Sequence, residues 1–512
     1  MKLNRKDNAI RNVGVGLINK VVTILLPFIL RTVLIYTLGT QYLGLSSLFT
    51  SILQVLSLSE LGIGSAMVFS LYRPIAEDNN EEVSKLLCTY KYVYRIIGCV
   101  IFFGGLSLLP FLKFLIHGEC PQDVNIYVLY LCYLVNTAES YFISAYKTTL
   151  LSAYQRRDVV STIGLSVKIV LYATQIVCLF LTNNYYLYVI WLPIFTAIEN
   201  IISAKYVERH YKGYFANKYE VNIKEAKPLL AKVRDLFGHR LEQVVINTFD
   251  TISISAFLGL KLVTIYNNYY YLMSAVSGVF DILYQAVLAG IGNSLVIEDE
   301  EKNLNDFKFF QTVNSWMVGW SSICFLCLYQ PMMQLWMGKK LMLPYRTIVL
   351  LFIYFYVWKI RQTVLLYKDA AGMWKEDRWK PYVEIIANII MNVTLIKVIG
   401  IDGVIIATII SMLFVAYPWE TVVFFKHRFE IYKSNFYRRQ ILHLLITLIL
   451  AIITYLACEL TVVEGIIGFL VKGLICIILP NTVVLLLFHR NADVKRITSI
   501  GCTLIKNMKK KL

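Results

Sequence analysis

Apolar residues run in long blocks along this chain, separated by short polar loops, and Lys and Arg gather in every second loop. A hydrocarbon core of ~30 Å is crossed by about 20 apolar helical residues. Stretches of that kind lie at 12–37, 44–71, 87–112, 124–146, 159–182, 185–204, 241–260, 264–296, 309–330, 346–367, 382–399, 403–425, 441–459 and 465–488. The pattern predicts an all-α integral membrane protein with about fourteen transmembrane helices.

The basic residues set the orientation. With the N-terminus inside, about 38 of the 50 Lys and Arg fall in inner segments. These include Lys2, Arg5, Lys6 and Arg11, then Arg156 and Arg157, the run from Lys205 to Arg240, Lys426 to Arg439, and Lys506 to Lys511. The outer loops hold Lys113, Lys261, Lys339, Lys340, Arg346 and Lys397. Both termini are therefore expected in the cytoplasm. The first stretch contains Arg31 and lacks a small-residue cleavage site, so it is expected to remain as a span.

Composition narrows the class further. With 57% hydrophobic and 16% charged residues, the chain has too little charge to cover a soluble protein of its size. The net charge of +17 is spread over many short loops, which suits topology and anionic headgroups and argues against nucleic acid as a partner. The ten Cys predict no disulfide framework: most lie in apolar stretches, and only Cys120 falls clearly in an outer loop. Cys324 and Cys327, at i, i+3 on an apolar helix, read as packing.

The 205–240 segment is the longest loop and divides the chain near its middle. The expected organisation is an N-terminal lobe at 1–204, a cytoplasmic linker at 205–240, a C-terminal lobe at 241–425, and two further helices with a basic tail at 426–512. An internal repeat supports two six-helix lobes. Leu38-Gly39 matches Leu258-Gly259, and Gly62-Ile63-Gly64-Ser65 matches Gly290-Ile291-Gly292-Asn293, each of the latter followed by an acidic loop. The offsets agree, so the halves repeat in parallel. Gly62 and Gly64 read first as packing positions.

Charges inside the bilayer need a cavity or a partner, because each costs about 2.5–3.5 kcal/mol at a helix centre. In the first stretch Lys20 and Arg31 lie eleven positions apart, within about 20° on a helix, with Pro27 between them as a hinge. A cavity-facing role and an outward-snorkelling one are both open to these cations. The fifth stretch carries Ser161, Lys168, Tyr172 and Gln175 on one face. The seventh offers Gln243, Asn247 and Asp250, and the eighth Asn267, Ser274, Asp281 and Gln285. Lys359 and Arg361 are expected to snorkel inward. For Glu60, Glu139, Glu199 and Glu384 a satisfied hydrogen-bonding role is the plainer reading.

Together these stripes predict a water-filled cavity, basic in the first half and polar with acids in the second. Arg31, Lys168 and Lys20 suit an anionic ligand; Asp250 and Asp281 suit neutralisation of those cations or a coupling ion, with Asn247, Gln285 and Glu60 as further polar lining. The chain has no phosphate-binding glycine loop, no Gly-x-Ser-x-Gly elbow and no His-Glu-x-x-His. No enzyme activity, cofactor or metal is expected.

Four ordered blocks carry a family resemblance. The first runs from Arg11-Asn12-Val13-Gly14 to Tyr42-Leu43-Gly44-Leu45. The second is Leu58-Ser59-Glu60-Leu61-Gly62-Ile63-Gly64-Ser65-Ala66 with Leu71-Tyr72-Arg73-Pro74. The third joins Asn247-Thr248-Phe249-Asp250, Phe257-Leu258-Gly259 and Tyr266-Asn267-Asn268-Tyr269, and the fourth joins Lys380-Pro381, Asn388 and Gly400-Ile401-Asp402-Gly403-Val404. In these the chain resembles the polysaccharide transporter branch of the MOP superfamily, the Wzx-type flippases.

The resemblance implies two MATE-like six-helix lobes around a cavity that opens alternately to each side of the bacterial cytoplasmic membrane. It implies a polyprenyl-pyrophosphate-linked oligosaccharide as substrate, destined for O-antigen, capsule or exopolysaccharide. Membrane lipids and other membrane proteins of polysaccharide assembly are the implied partners. Related lipid II flippases have two extra helices that line a groove for the lipid tail; the matching blocks do not reach 441–488. Lipid II transport, cation-coupled drug export on the same fold, and a membrane enzyme of glycan assembly are the competing readings. A polymerase is expected to show a large outer loop and an acyltransferase a buried catalytic His, and neither is present in the pattern.

The topology is directly testable. Alkaline phosphatase fused after Gly338 is expected to be active and a fluorescent protein fused after Leu512 to mature; an inactive phosphatase at Gly338 reverses the orientation.

Overall fold

The computed structural model describes residues 5–496 apart from 61–62, 119 and 216–222, together with 499; the side chains of 5–18, 59, 65 and 223–236 are outside that description. Gly62, Lys2, the Arg5 and Arg11 side chains, residues 216–222 of the 205–240 linker with the side chains of 223–236, and the lysines from Lys506 to Lys511 therefore lie outside that description. By internal contacts the chain divides into two compact units between Thr264 and Ile265. Every regular element among the described residues is helical.

The first unit contains α1 (Arg5–Thr37), α2 (Thr40–Leu56), a 3-10 turn (Ser57–Glu60), α3 (Ile63–Ala76), α4 (Asn80–Ser107), α5 (Ile126–Ile143), α6 (Ala145–Ala153), α7 (Arg157–Thr182), α8 (Tyr185–His210) and α9 (Ile223–Leu258). α10 (Leu260–Ile297) begins in the first unit and continues in the second. The second unit goes on with α11 (Glu300–Met337), α12 (Tyr345–Ile360), α13 (Gln362–Ala371), α14 (Lys380–Ile399), α15 (Ile401–Ile410), a π-helical turn (Ser411–Ala416), α16 (Tyr417–His427), α17 (Lys433–Glu459) and α18 (Gly465–Leu487). Residues 241–258, assigned from sequence to the second lobe, pack here against α2 and α3 of the first unit.

Local chemistry explains where the spans begin. Side chains of Asn79, Asn125, Asn184 and Asp299 accept hydrogen bonds from backbone N–H groups of the first turns of α4, α5, α8 and α11. Each satisfies donors that have no partner within the helix. Eleven helices among the described residues are long and apolar enough to cross a membrane. The expected stretches at 44–71, 241–260 and 309–330 are helical but fall outside that group. The first is interrupted after Leu56, the second carries Asn247 and Asp250, and the third carries Gln311, Asn314, Ser315 and Ser322.

The repeat reappears in backbone geometry. Gly39 and Gly259 both take positive φ, 110° and 88°, which is the conformation that glycine alone adopts without a Cβ penalty. Gly39 N–H donates to Leu34 O at 3.2 Å, and Gly259 N–H to Ile254 O at 3.0 Å. The two turns thus close their helices in the same way.

The halves also break their helices at matching places. α5 gives way to α6 at Ser144, and α12 to α13 at Arg361. At the first break the Ser144 hydroxyl donates to Asn200 Oδ1 at 2.6 Å, and Asn200 Nδ2 donates to Ser140 Oγ at 3.0 Å. At the second, Asn314 Nδ2 donates to the carbonyls of Lys359 and Ile360 at 3.1 and 3.3 Å. Arg361 donates to Glu420 through both Nε (3.0 Å) and Nη2 (2.6 Å). Lys380 completes a four-charge cluster, 2.8 Å from Glu420 and 3.1 Å from Glu384. All four side chains are buried.

Snorkelling, expected for Lys359 and Arg361, is thus overturned. Lys359 is 2% exposed and pairs with Asp281 at 3.1 Å, while Arg361 has its partners inside the unit. Hydropathy located both cations near a span end, but acids on other helices hold them in place.

α17 and α18 pack against α11 through small thiols and indoles. Cys327, Cys458 and Cys476 bring their sulfurs within 4.8 Å of one another. Trp320 Nε1 donates to Cys476 O at 2.9 Å and Trp316 Nε1 to Asn481 Oδ1 at 2.8 Å.

Removing one member of a buried ion cluster leaves an uncompensated charge and costs ~3–5 kcal/mol. Arg361→Met is accordingly expected to lower thermal stability in detergent steeply. The double variant Arg361→Met with Glu420→Met leaves Lys380 and Glu384 balanced and is expected to recover much of the loss. A double variant no more stable than the single one contradicts this electrostatic account.

Candidate functional site

The predicted site residues fall into both units; in the first, Lys20, Arg31 and Lys168 lie on the mutually packed helices α1 and α7, whereas Glu60, Asn247 and Asp250 lie on other elements. On α1 the exposed apolar residues Val21, Leu25, Ile29 and Tyr36 form a stripe. Helical geometry turns Arg31 about 125° and Lys20 about 145° away from it. Both cations are half-buried, as is Pro27. α1 packs along α7.

α7 repeats the arrangement. Ile169, Val170, Val177, Phe180 and Leu181 are its exposed apolar residues, and Lys168 points about 165° from their mean direction. Lys168 is nonetheless exposed. It therefore lies on a second open face, flanked by half-buried Ser161 and Tyr172 and followed by buried Gln175. That is the behaviour of a cation on a surface other than the apolar one.

Both cations have polar neighbours on α7 and α8. Arg31 interacts electrostatically with the phenols of Tyr172 on α7 and Tyr188 on α8. Lys168 interacts in the same way with Glu199 of α8. Glu199 reaches α7 one turn before Lys168, where Gly164 makes room for it: a Cβ there would sit 2.8 Å from Glu199 Oε1. The first unit thus gathers two cations, one carboxylate and two phenols across α1, α7 and α8. Tyr188 was not singled out in the sequence because it belongs to no charged stripe.

Glu60 lies at the end of the 3-10 turn and accepts a 2.5 Å hydrogen bond from Tyr141. It also acts electrostatically on Tyr94. This acid sits among tyrosines of α4 and α5. On α9, Gln243 and Asn247 are exposed whereas Asp250 is 3% exposed. The expected stripe therefore runs from open surface into packed interior.

In the second unit Asp281 and Gln285 are exposed on α10. Asp281 carries the ion pair to Lys359, whose ammonium also lies 5.9 Å from the Phe280 ring centroid. Sequence inspection missed Glu420, an acid inside an apolar stretch whose partners Arg361 and Lys380 lie on other helices. Lys380 and Glu384, at i, i+4, were the part of that cluster visible locally.

A family model described as polysaccharide biosynthesis protein matches residues 9–289. No curated protein sequence matches the chain. Among solved structures, the lipid II flippase MurJ in an inward closed conformation is similar with a TM-score of 0.69 at 17% identity, covering 94% of this chain and 99% of that one. An inward-facing multidrug resistance MATE family transporter of the MOP superfamily is similar with a TM-score of 0.60 at 13% identity, covering 84% and 99%. A MOP superfamily transporter from Pyrococcus furiosus has a TM-score of 0.52 at 13% identity and covers 84% and 96%. With more than half its length matched by the family and its helices arranged as in these transporters, the chain belongs to the polysaccharide biosynthesis protein family and has the MOP-superfamily fold.

Proposed function

We propose that this protein flips polyprenyl-pyrophosphate-linked oligosaccharide repeat units, undecaprenyl in bacteria, from the inner to the outer leaflet of the cytoplasmic membrane. The units feed surface polysaccharide synthesis, and the protein works by alternating access rather than as an enzyme. The observation that carries this reading is the placement of Arg31 and Lys168 on faces turned away from the exposed apolar stripes of α1 and α7. Cations turned from the apolar surface suit a phosphorylated headgroup in water, while the polyprenyl tail stays in hydrocarbon.

The chemistry is binding and release. A pyrophosphate diester carries about two negative charges, which two cations neutralise. Tyr172 and Tyr188, beside Arg31, offer hydroxyl donors to phosphate oxygens or sugar. Each charge moved across 100 mV is worth ~2.3 kcal/mol. With the cytoplasm negative, an uncompensated anion gains by moving outward; if the cations travel with it, the same energy favours return of the empty site.

Lipid II transport is the second reading, favoured by the similarity to MurJ, and it uses the same pyrophosphate headgroup. Drug export coupled to a cation fits less well, because it is better served by acids than by bases in the first unit.

Arg31→Ala is expected to reduce surface glycan by about ten- to a hundredfold, the loss of one charge-assisted contact. Protein level in the membrane should stay normal, and lipid-linked oligosaccharide should accumulate at the inner leaflet. Lys168→Ala is expected to act in the same direction. Normal surface glycan in Arg31→Ala refutes the assignment; reconstitution that moves lipid II but not lipid-linked oligosaccharide selects the second reading.

A further inference from the structure

The second unit has a basic cavity of about 340 Å³ that shares no lining residue with the proposed substrate site. It is lined by Lys308 of α11, Tyr432, and Asn435, Arg438, Arg439 and Leu442 of α17. Three of the six are cations and none is an acid. Of the nearby acids, Asp306 pairs with Arg496 at 2.8 Å, and Asp493 neutralises the lining Arg439 at 2.9 Å, which leaves Lys308 and Arg438 as the cations that face the cavity unbalanced.

The cavity is held in shape by its own contacts. Arg439 donates to Tyr432 Oη at 3.0 Å and to Thr312 Oγ1 at 2.7 Å. Lys308 lies 5.3 Å from the Tyr432 ring centroid and donates to Asn305 at 3.2 Å. Arg439 is therefore a fixed wall. Lys308 and Arg438 make no ion pair among the described residues, and Arg438 is exposed.

Beyond the cavity, the same face of α17 turns apolar. Arg438, Leu442, Leu445, Ile449, Ile452 and Leu456 follow at i, i+4, i+7, i+11, i+14 and i+18, which is one helical stripe. All five apolar members are exposed. At 1.5 Å per residue the ladder from Leu442 to Leu456 runs about 21 Å, longer than one leaflet's acyl region. A soluble anion has no use for such a ladder.

The geometry points to a binding site for an anionic phospholipid of the surrounding bilayer. Its phosphate sits between Lys308 and Arg438, Asn435 and Tyr432 serve its polar head, and its acyl chains lie along the α17 ladder. Basic pockets at the end of transmembrane helices recognise lipid phosphates through charge that is poorly screened there. The site is built from α11 and α17 and shares no residue with the Arg31 and Lys168 faces, so it stands or falls independently of the proposed substrate.

The test uses the full chain purified into nanodiscs of phosphatidylglycerol or phosphatidylcholine. Extraction followed by native mass spectrometry should retain phosphatidylglycerol and not phosphatidylcholine. Lys308→Gln with Arg438→Gln should weaken retention by about 25-fold, roughly fivefold per cation, and Lys308→Arg with Arg438→Lys should restore it. On the unaltered protein, labelling of Lys308 by a water-soluble amine reagent should be slower in phosphatidylglycerol. Equal retention of both lipids, equal labelling rates, or unchanged retention in the neutral variant overturns the proposal. Protection of Lys308 by inorganic pyrophosphate or by polyprenyl pyrophosphate, with none by phosphatidylglycerol, also overturns it and assigns the cavity to a free anion or to the transported lipid.

Discussion

Hydrocarbon supplies no hydrogen-bond partner, so each interrupted helix and each buried charge must find its partner inside the protein. The two units meet that demand at the same point of the repeat with different chemistry. At Ser144 the break is served by neutral groups, a hydroxyl and the Asn200 amide. At Arg361 it is served by Asn314, which takes the freed carbonyls, and by Glu420, which takes the guanidinium. A guanidinium at this depth is tolerable only because Lys380, Glu384 and Glu420 bring the cluster to neutrality. Asn388 extends the same logic beside the π-helical turn, donating to Thr408 and Ser411 at 3.2 and 3.3 Å.

That requirement also separates structural cations from those open to a ligand. Arg361 and Lys380 are enclosed with their acids, and an arriving phosphate would have to displace carboxylates already at ion-pair distance. Lys359 is enclosed as well, against Asp281. Arg31 and Lys168 differ in setting: one is half-buried, the other exposed, and their electrostatic neighbours include the phenols of Tyr172 and Tyr188 and the carboxylate of Glu199. In the second half Lys359, Arg361, Lys368 and Lys380 are already committed to acids.

Apolar periodicity and the bias of Lys and Arg located the helices and the repeat, because both are properties of local sequence. The glycine turns were legible for the same reason: Leu38-Gly39 and Leu258-Gly259 mark places where only a residue without Cβ closes the helix cheaply. Breaks within a span were not legible. Hydropathy averages over about 19 residues, so 44–71 and 346–367 read as continuous helices although the chain is interrupted at Ser57–Glu60 and at Arg361. Ion partners were hidden by distance along the chain, since Arg361 and Glu420 stand 59 positions apart. The site was readable as a set of charges, but not which of them neutralise one another.

We propose that Pro27 connects the cation stripe to movement. It removes an N–H from α1 and leaves the Thr23 carbonyl without its usual donor, which weakens the helix at that turn. Lys20 lies on one side of the weakened turn and Arg31 on the other, along a single stripe. A bend there changes the separation of the two cations without disturbing the apolar stripe of Val21, Leu25 and Ile29 that lies on the other side of the helix. In the proposed cycle the bound anion favours whichever bend brings Lys20 and Arg31 to it together, and its release removes that preference. Hinge and headgroup contacts then share one helix face, so binding energy acts on the conformation of α1 directly rather than through a chain of intermediates.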